Sequence, residues 1–189
     1  KIYPCLPLLW IALAGPALVN LSALSSSITV SLVANIINLL CYGLITYVLY
    51  RLSDQSALFS RAFPACLTAV VLVGLGLVCT FFVSGSPMLF NFLSLLLMAG
   101  SIASLIGQYY MYWGLDERVI SCGYAFPARR IRWCLYAPLI GAFASAFLML
   151  SGMVLPGVVL QLACQFVPLV LLWQYMRAVR EREDNPLTF

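Results

Sequence analysis

The chain has 189 residues, of which 63% are hydrophobic and 8% charged, whereas about 25% of the residues of an ordinary soluble domain are charged; a water-soluble globule is excluded. The formal net charge of +4 would point to nucleic acid only if the basic residues formed a patch on a soluble face, and here they flank apolar blocks, so no nucleic acid partner is expected. Seven cysteines (Cys5, Cys41, Cys66, Cys79, Cys122, Cys134 and Cys164) form no C-x-x-C pair and the chain has no histidine; the usual zinc spacing is missing, the thiols read as small apolar side chains, and neither metal nor cofactor is expected.

In chain order, uninterrupted uncharged stretches predict six transmembrane helices, over residues 2–24, 28–50, 62–83, 88–113, 133–150 and 155–177. About 20 apolar residues suffice to cross a bilayer. Lipid offers no hydrogen bonds, so each segment must pair its own backbone, and without period-two alternation the answer is a helix. The fold class is therefore all-α, a polytopic integral membrane protein. The first block contains Pro4, Pro7 and Pro16 and leads straight into further spans, so it reads as a helix of the bundle rather than a cleavable signal. Residues 1–180 form one bundle domain on this reading, and 181–189 a cytoplasmic tail.

The connections alternate in character. Residues 25–27, 84–87 and 151–154 are short and uncharged, whereas 51–61, 114–132 and the segment after Met176 hold the charges. All ten basic residues (Lys1, Arg51, Arg61, Arg118, Arg129, Arg130, Arg132, Arg177, Arg180 and Arg182) fall on one side, and so do the six acids. The positive-inside rule makes that side cytoplasmic, which predicts a multi-pass protein of the cell membrane with both termini inside. Tyr47, Tyr50, Tyr109, Tyr110, Tyr112, Tyr136 and Tyr175, with Trp113, Trp133 and Trp173, gather toward the same side as an aromatic belt. Lys1, Tyr3, Cys5, then Arg61, Phe63, Cys66, then Arg132, Trp133, Cys134 open alternate helices, a pattern compatible with three weakly repeated hairpins; the belt and charge rules alone produce much of it.

Apart from Arg177, the last residue of the sixth, no Asp, Glu, Lys, Arg or His lies within a predicted span, and intramembrane ionisable groups are what mark proton relays and ion coupling. A proton-driven pump is disfavoured. The polar side chains that do occur there include neutral amides. Asn35 and Asn38 are three apart and Gln161 and Gln165 four apart, so each pair shares a helix face; with Asn91 and Asn20 they are the candidate ligand-binding residues, lining an outward-opening pocket for an uncharged or zwitterionic small molecule. The competing reading is interhelical bonding, worth about 0.6–2 kcal/mol per amide. Gly100, Ala103, Ser104 and Gly107 on the fourth span, and the pairs Gly141 with Ser145 and Ala142 with Ala146 on the fifth, carry the spacing of close helix packing.

The segment from Asp116 to Trp133 is expected to be a surface loop in which Arg118, Arg129, Arg130 and Arg132 meet lipid headgroups or a partner. It lacks a histidine base, a phosphate-cradling glycine loop and a spaced carboxylate set, so no catalytic residue is assigned. The expected function is a solute-binding or permease subunit that works with a membrane or cytoplasmic partner or as an oligomer. A non-catalytic scaffold subunit of a larger membrane complex is the alternative, and an enzyme modifying lipid at the inner leaflet the third.

Overall fold

The computed structural model describes residues 2–22, 28–80 and 87–184. Among them the chain forms six helices and no strand: α1 (Leu6–Ser22, entered through a 3₁₀ turn at Tyr3–Cys5), α2 (Ile28–Leu52), α3 (Ala57–Thr80), α4 (Pro87–Cys122), α5 (Trp133–Leu150) and α6 (Val154–Asp184). Helices α2 to α6 each contain a stretch long and apolar enough to cross a membrane. With its entry turn, α1 is about 31 Å long, against a hydrocarbon thickness of about 30 Å.

The bounds of α5 coincide with the expected span. Those of α3, α4 and α6 do not: α3 begins at Ala57, α4 runs on to Cys122 and α6 to Asp184. Once outside lipid a helix needs no apolar residues to continue, so hydropathy marks where the surroundings change rather than where the backbone stops. The expected surface loop from Asp116 to Trp133 is thus corrected: Asp116, Arg118 and Cys122 are helical, and only the stretch around Gly123–Arg129 reverses the chain. Two of the described turns that end helices, those after α4 and α5, use glycine at positive φ. Gly123 (φ 63°) and Gly152 (φ 82°) let Tyr124 N–H reach Val119 O (3.3 Å) and Met153 N–H reach Leu148 O (2.9 Å), the six-to-one bond that satisfies the last carbonyls of a helix. The connections expected at 25–27 and at 84–86 lie outside the described residues, as do Lys1 and residues 185–189.

The helices pack first as sequential hairpins, α1 with α2, α3 with α4 and α5 with α6, with α2 against α3 and α1 against α6 joining them. The result is an arc in the order α4, α3, α2, α1, α6, α5. Each hairpin is closed by a glycine facing a cysteine. A Cβ on Gly15 would stand 2.2 Å from Cys41 Sγ, one on Gly107 2.3 Å from Cys66 Sγ, and one on Gly141 2.4 Å from Cys164 Cβ. Without side-chain volume on one partner, the backbones approach closely enough for dispersion to hold them where lipid removes any hydrophobic drive. Gly100 likewise sits against Val73 and Leu72 of α3. Gly100, Gly107, Gly141 and Ser145 of the predicted stripes are thus spent on contacts within the chain, whereas Ala142 and Ala146 are exposed.

The buried core lies toward the end that carries the charges. Leu6, Leu49, Phe59, Leu115, Ile131, Leu172 and Tyr175 are fully enclosed or nearly so. The first described residues are fastened there by the Ile2 N–H, which donates to Glu183 Oε1 (3.0 Å), so both described chain ends share one end of the bundle. Trp133, Tyr136, Ile140, Phe143, Phe147 and Leu150 of α5 are all exposed at alternating three- and four-residue spacing, the outward stripe that a membrane helix turns to acyl chains.

Candidate functional site

On α2 the residues Ala34, Ile45, Leu49 and Leu52 are buried, and their spacing defines the inward face. Asn38 lies on that face, four residues after Ala34. On α6 the corresponding stripe runs through Pro168, Leu172, Tyr175 and Val179, and Gln161 and Gln165 continue it toward the uncharged end. Helix α1 packs between the two helices.

The depth of these amides follows from two fixed points. Trp10 Nε1 donates to the carbonyl of Leu169 (2.9 Å), which sets α1 against α6. Gly15 faces Cys41, which sets α1 against α2. With a rise of 1.5 Å per residue, Asn38 and Gln165 fall within about one helical turn of each other along the membrane normal.

Their hydrogen bonding separates the six amides. Gln161 Oε1 accepts from the Ser145 hydroxyl of α5 (2.9 Å) and is engaged in helix packing. Asn35 and Asn91 are exposed. The side chain of Asn20 lies outside the described ones. Gln108, a span amide not counted among the candidates, donates to Ser104 Oγ on its own helix (3.2 Å). Asn38 Oδ1 and Gln165 Oε1 are buried with no hydrogen-bond partner. An uncompensated buried polar atom costs about 1–3 kcal/mol, and in a folded protein each one calls for an explanation.

Both orphan atoms are acceptors. Pro168 has no N–H to offer the carbonyl of Cys164 four residues back, one residue from Gln165. A ligand that satisfies these oxygens brings N–H or O–H donors, while each amide keeps an NH2 group of its own to donate. No group of three His, Cys, Asp or Glu side chains gathers among the described residues to cradle a metal.

The charged end is built differently, with its polar groups paired. Asp116, 1% exposed, accepts from the backbone N–H of Arg129 (2.5 Å) and from Arg132 Nε (2.8 Å), with Arg132 Nη2 at 2.6 Å. The same guanidinium lies over the Trp113 ring at 4.5 Å, and Trp113 stacks on Tyr109 and meets Tyr136 edge-on. Arg129 is the one non-glycine at positive φ (65°) among the described residues, and the carboxylate holds it there. Arg118 donates to the carbonyl of Gln55, and Ser56 Oγ to Glu117 Oε2 (2.6 Å). Burial, foremost, and then the neighbouring Cys122 and Glu183 hold the Tyr124 phenol above its ordinary range, against a lowering by Arg118, so at neutral pH it stays a donor.

Of the four arginines expected to face lipid or a partner, Arg132 and Arg118 are thus tied into contacts within the chain, while Arg129 and Arg130 are exposed. The clasp around Asp116 was not legible beforehand: an acid followed by Glu117 and Arg118 reads as solvated, and its partners lie 13 and 16 residues further on. No family model matches the chain, and neither a curated protein nor a solved structure is significantly similar to it.

Proposed function

We propose that the chain is a small-molecule-binding or permease subunit of the cell membrane, with its charged end cytoplasmic, taking an uncharged or zwitterionic solute at Asn38 and Gln165 and working with a partner or as an oligomer. The observation that carries this reading is the pair of buried amide oxygens left without donors, in a protein whose part-buried amides Gln161 and Gln108 are hydrogen-bonded. In hydrocarbon such atoms are costly, and a donor-bearing ligand removes that cost on binding. The absence of ionisable residues in the predicted spans before Arg177 argues for energy supplied from outside the chain.

The test measures detergent thermal stability together with ligand-induced stabilisation, across a panel of small polar solutes, for Asn38→Leu and Gln165→Leu. As solute ligands, these positions when substituted leave the melting temperature unchanged or raise it and abolish the response, because a site built to hydrogen-bond its ligand discriminates steeply once a partner is missing. If the amides serve only helix packing, stability falls by about 0.6–2 kcal/mol each and any response per folded molecule persists; that result refutes the reading.

Orientation is tested separately, on a background with the native cysteines replaced. Cysteine at Ser151, exposed in the turn between α5 and α6, will react with an impermeant thiol reagent added to intact cells. Cysteine at Ser121, exposed near the end of α4, will react only after permeabilisation. The reverse pattern overturns the cytoplasmic assignment.

A further inference from the structure

A groove of about 520 Å³ runs between α1 and α6 where the chain passes from apolar to charged. Its apolar half is formed by Pro7, Trp173 and Met176, and its polar half by Arg177, Arg180, Glu181 and Asp184, with Tyr3 beside them. The four ionic residues stand at intervals of three, one and three on α6, which places them on a single face. Two guanidinium groups and two carboxylates give that face no net charge.

The existing ion pairs on it are open to exchange. Arg177 Nε lies 3.0 Å from Glu181 Oε1 and Arg180 Nε 3.5 Å from Asp184 Oδ2, with side-chain exposures of 73% and 59%, and of 66% and 67%. Exposed pairs one helical turn apart contribute only about 0.3–0.5 kcal/mol, so a ligand that satisfies the same four groups displaces them at little cost. One wall is already set: Arg180 Cζ lies 5.9 Å over the Tyr3 ring, and Tyr3 is held by the neighbouring bond from Ile2 to Glu183.

We propose that this groove binds a zwitterionic phospholipid whose headgroup carries a primary ammonium, of the phosphatidylethanolamine type. The phosphate sits between Arg177 and Arg180, since guanidinium groups form charge-assisted bonds to phosphate oxygens. The ammonium donates to Glu181 and Asp184. The glycerol and upper acyl carbons lie along Pro7, Met176 and the Trp173 ring, at the headgroup depth such rings favour. A choline headgroup has no N–H to donate to the carboxylates. An anionic glycerol headgroup brings no cation to pair with them, and a face of zero net charge gives it no compensating attraction. This site is independent of the amides at Asn38 and Gln165.

The experiment is native mass spectrometry of the full chain in detergent, offered ethanolamine, choline and glycerol phospholipids with identical acyl chains. The ethanolamine lipid will be retained about tenfold over either of the others, the scale of losing one charge-assisted bond. Arg177→Gln with Arg180→Gln will lower its retention about tenfold. Glu181→Gln with Asp184→Gln will shift the preference to the glycerol lipid. Free glycerophosphoethanolamine at equal concentration will not displace the lipid, because the apolar half of the groove holds the chains. A wild-type preference for the glycerol or choline lipid, retention unchanged in the double arginine variant, an unshifted preference in the double acid variant, or displacement by the free headgroup overturns the proposal. Melting curves of both variants, whose changes fall on exposed side chains, are recorded beside each measurement.

Discussion

Replacing Asp116 with alanine is expected to lower the stability of the bundle by about 2–4 kcal/mol. The carboxylate is buried and serves two donors on the far side of the turn, the Arg129 N–H and the Arg132 guanidinium. Its removal leaves both without this acceptor, and frees Arg129 from the carboxylate contact that offsets its left-handed backbone, a conformation that costs a non-glycine residue about 1–2 kcal/mol. Asp116→Asn keeps one acceptor and will lose roughly half as much. Denaturation in detergent at pH 7 measures both. A loss below about 0.5 kcal/mol for the alanine variant, within the usual range of surface changes, would show that the turn is held by other contacts.

The second large effect is expected at the glycine and cysteine seat of the last hairpin. A methyl at position 141 would stand 2.4 Å from Cys164 Cβ and 2.8 Å from its Sγ, so Gly141→Ala forces α5 and α6 apart and will cost about 1–3 kcal/mol. The identity of the nearest atom makes the test specific. Cys164→Ala leaves the offending Cβ in place and will not restore stability, whereas Cys164→Gly removes it. In a double-mutant cycle the Gly141→Ala, Cys164→Gly pair will show a favourable interaction energy of about 1–2 kcal/mol. At Gly107 the nearest atom is the movable Sγ of Cys66 (2.3 Å), with the backbone N of Cys66 at 3.2 Å, and there Cys66→Ala will restore most but not all of the stability. A cycle with no coupling at position 164 would mean that the hairpins are not set by these seats.

These contacts show what a single sequence makes legible in a membrane protein. The apolar blocks match the helices unevenly: α5 occupies its expected residues, whereas α4 and α6 pass through Arg118 and Arg177, since charged residues are good helix formers in water. The face shared by Gln161 and Gln165 was readable from spacing, but Asn35 is exposed where Asn38 turns inward. Which amide finds a partner was not readable, because that depends on a neighbour 16 residues away, as Ser145 is to Gln161. Cys41, Cys66 and Cys164 read as small apolar side chains, but their opposition to Gly15, Gly107 and Gly141 needs the registers of three hairpins.

The fixed length of α5 bears on the membrane the protein can inhabit. Its 18 residues extend about 27 Å, and neither end can grow: one is closed by the glycine turn at Gly152, the other by the Asp116 clasp. Helices α4 and α6, about 54 and 46 Å long, can tilt or emerge to suit any bilayer. Hydrophobic mismatch therefore falls on the two short helices, α5 and α1, whose 17 residues extend about 26 Å. In a thick, sterol-rich bilayer the leaflets must thin around them, at a cost of fractions of a kcal/mol per Å, and a thin membrane accommodates the bundle with no such deformation.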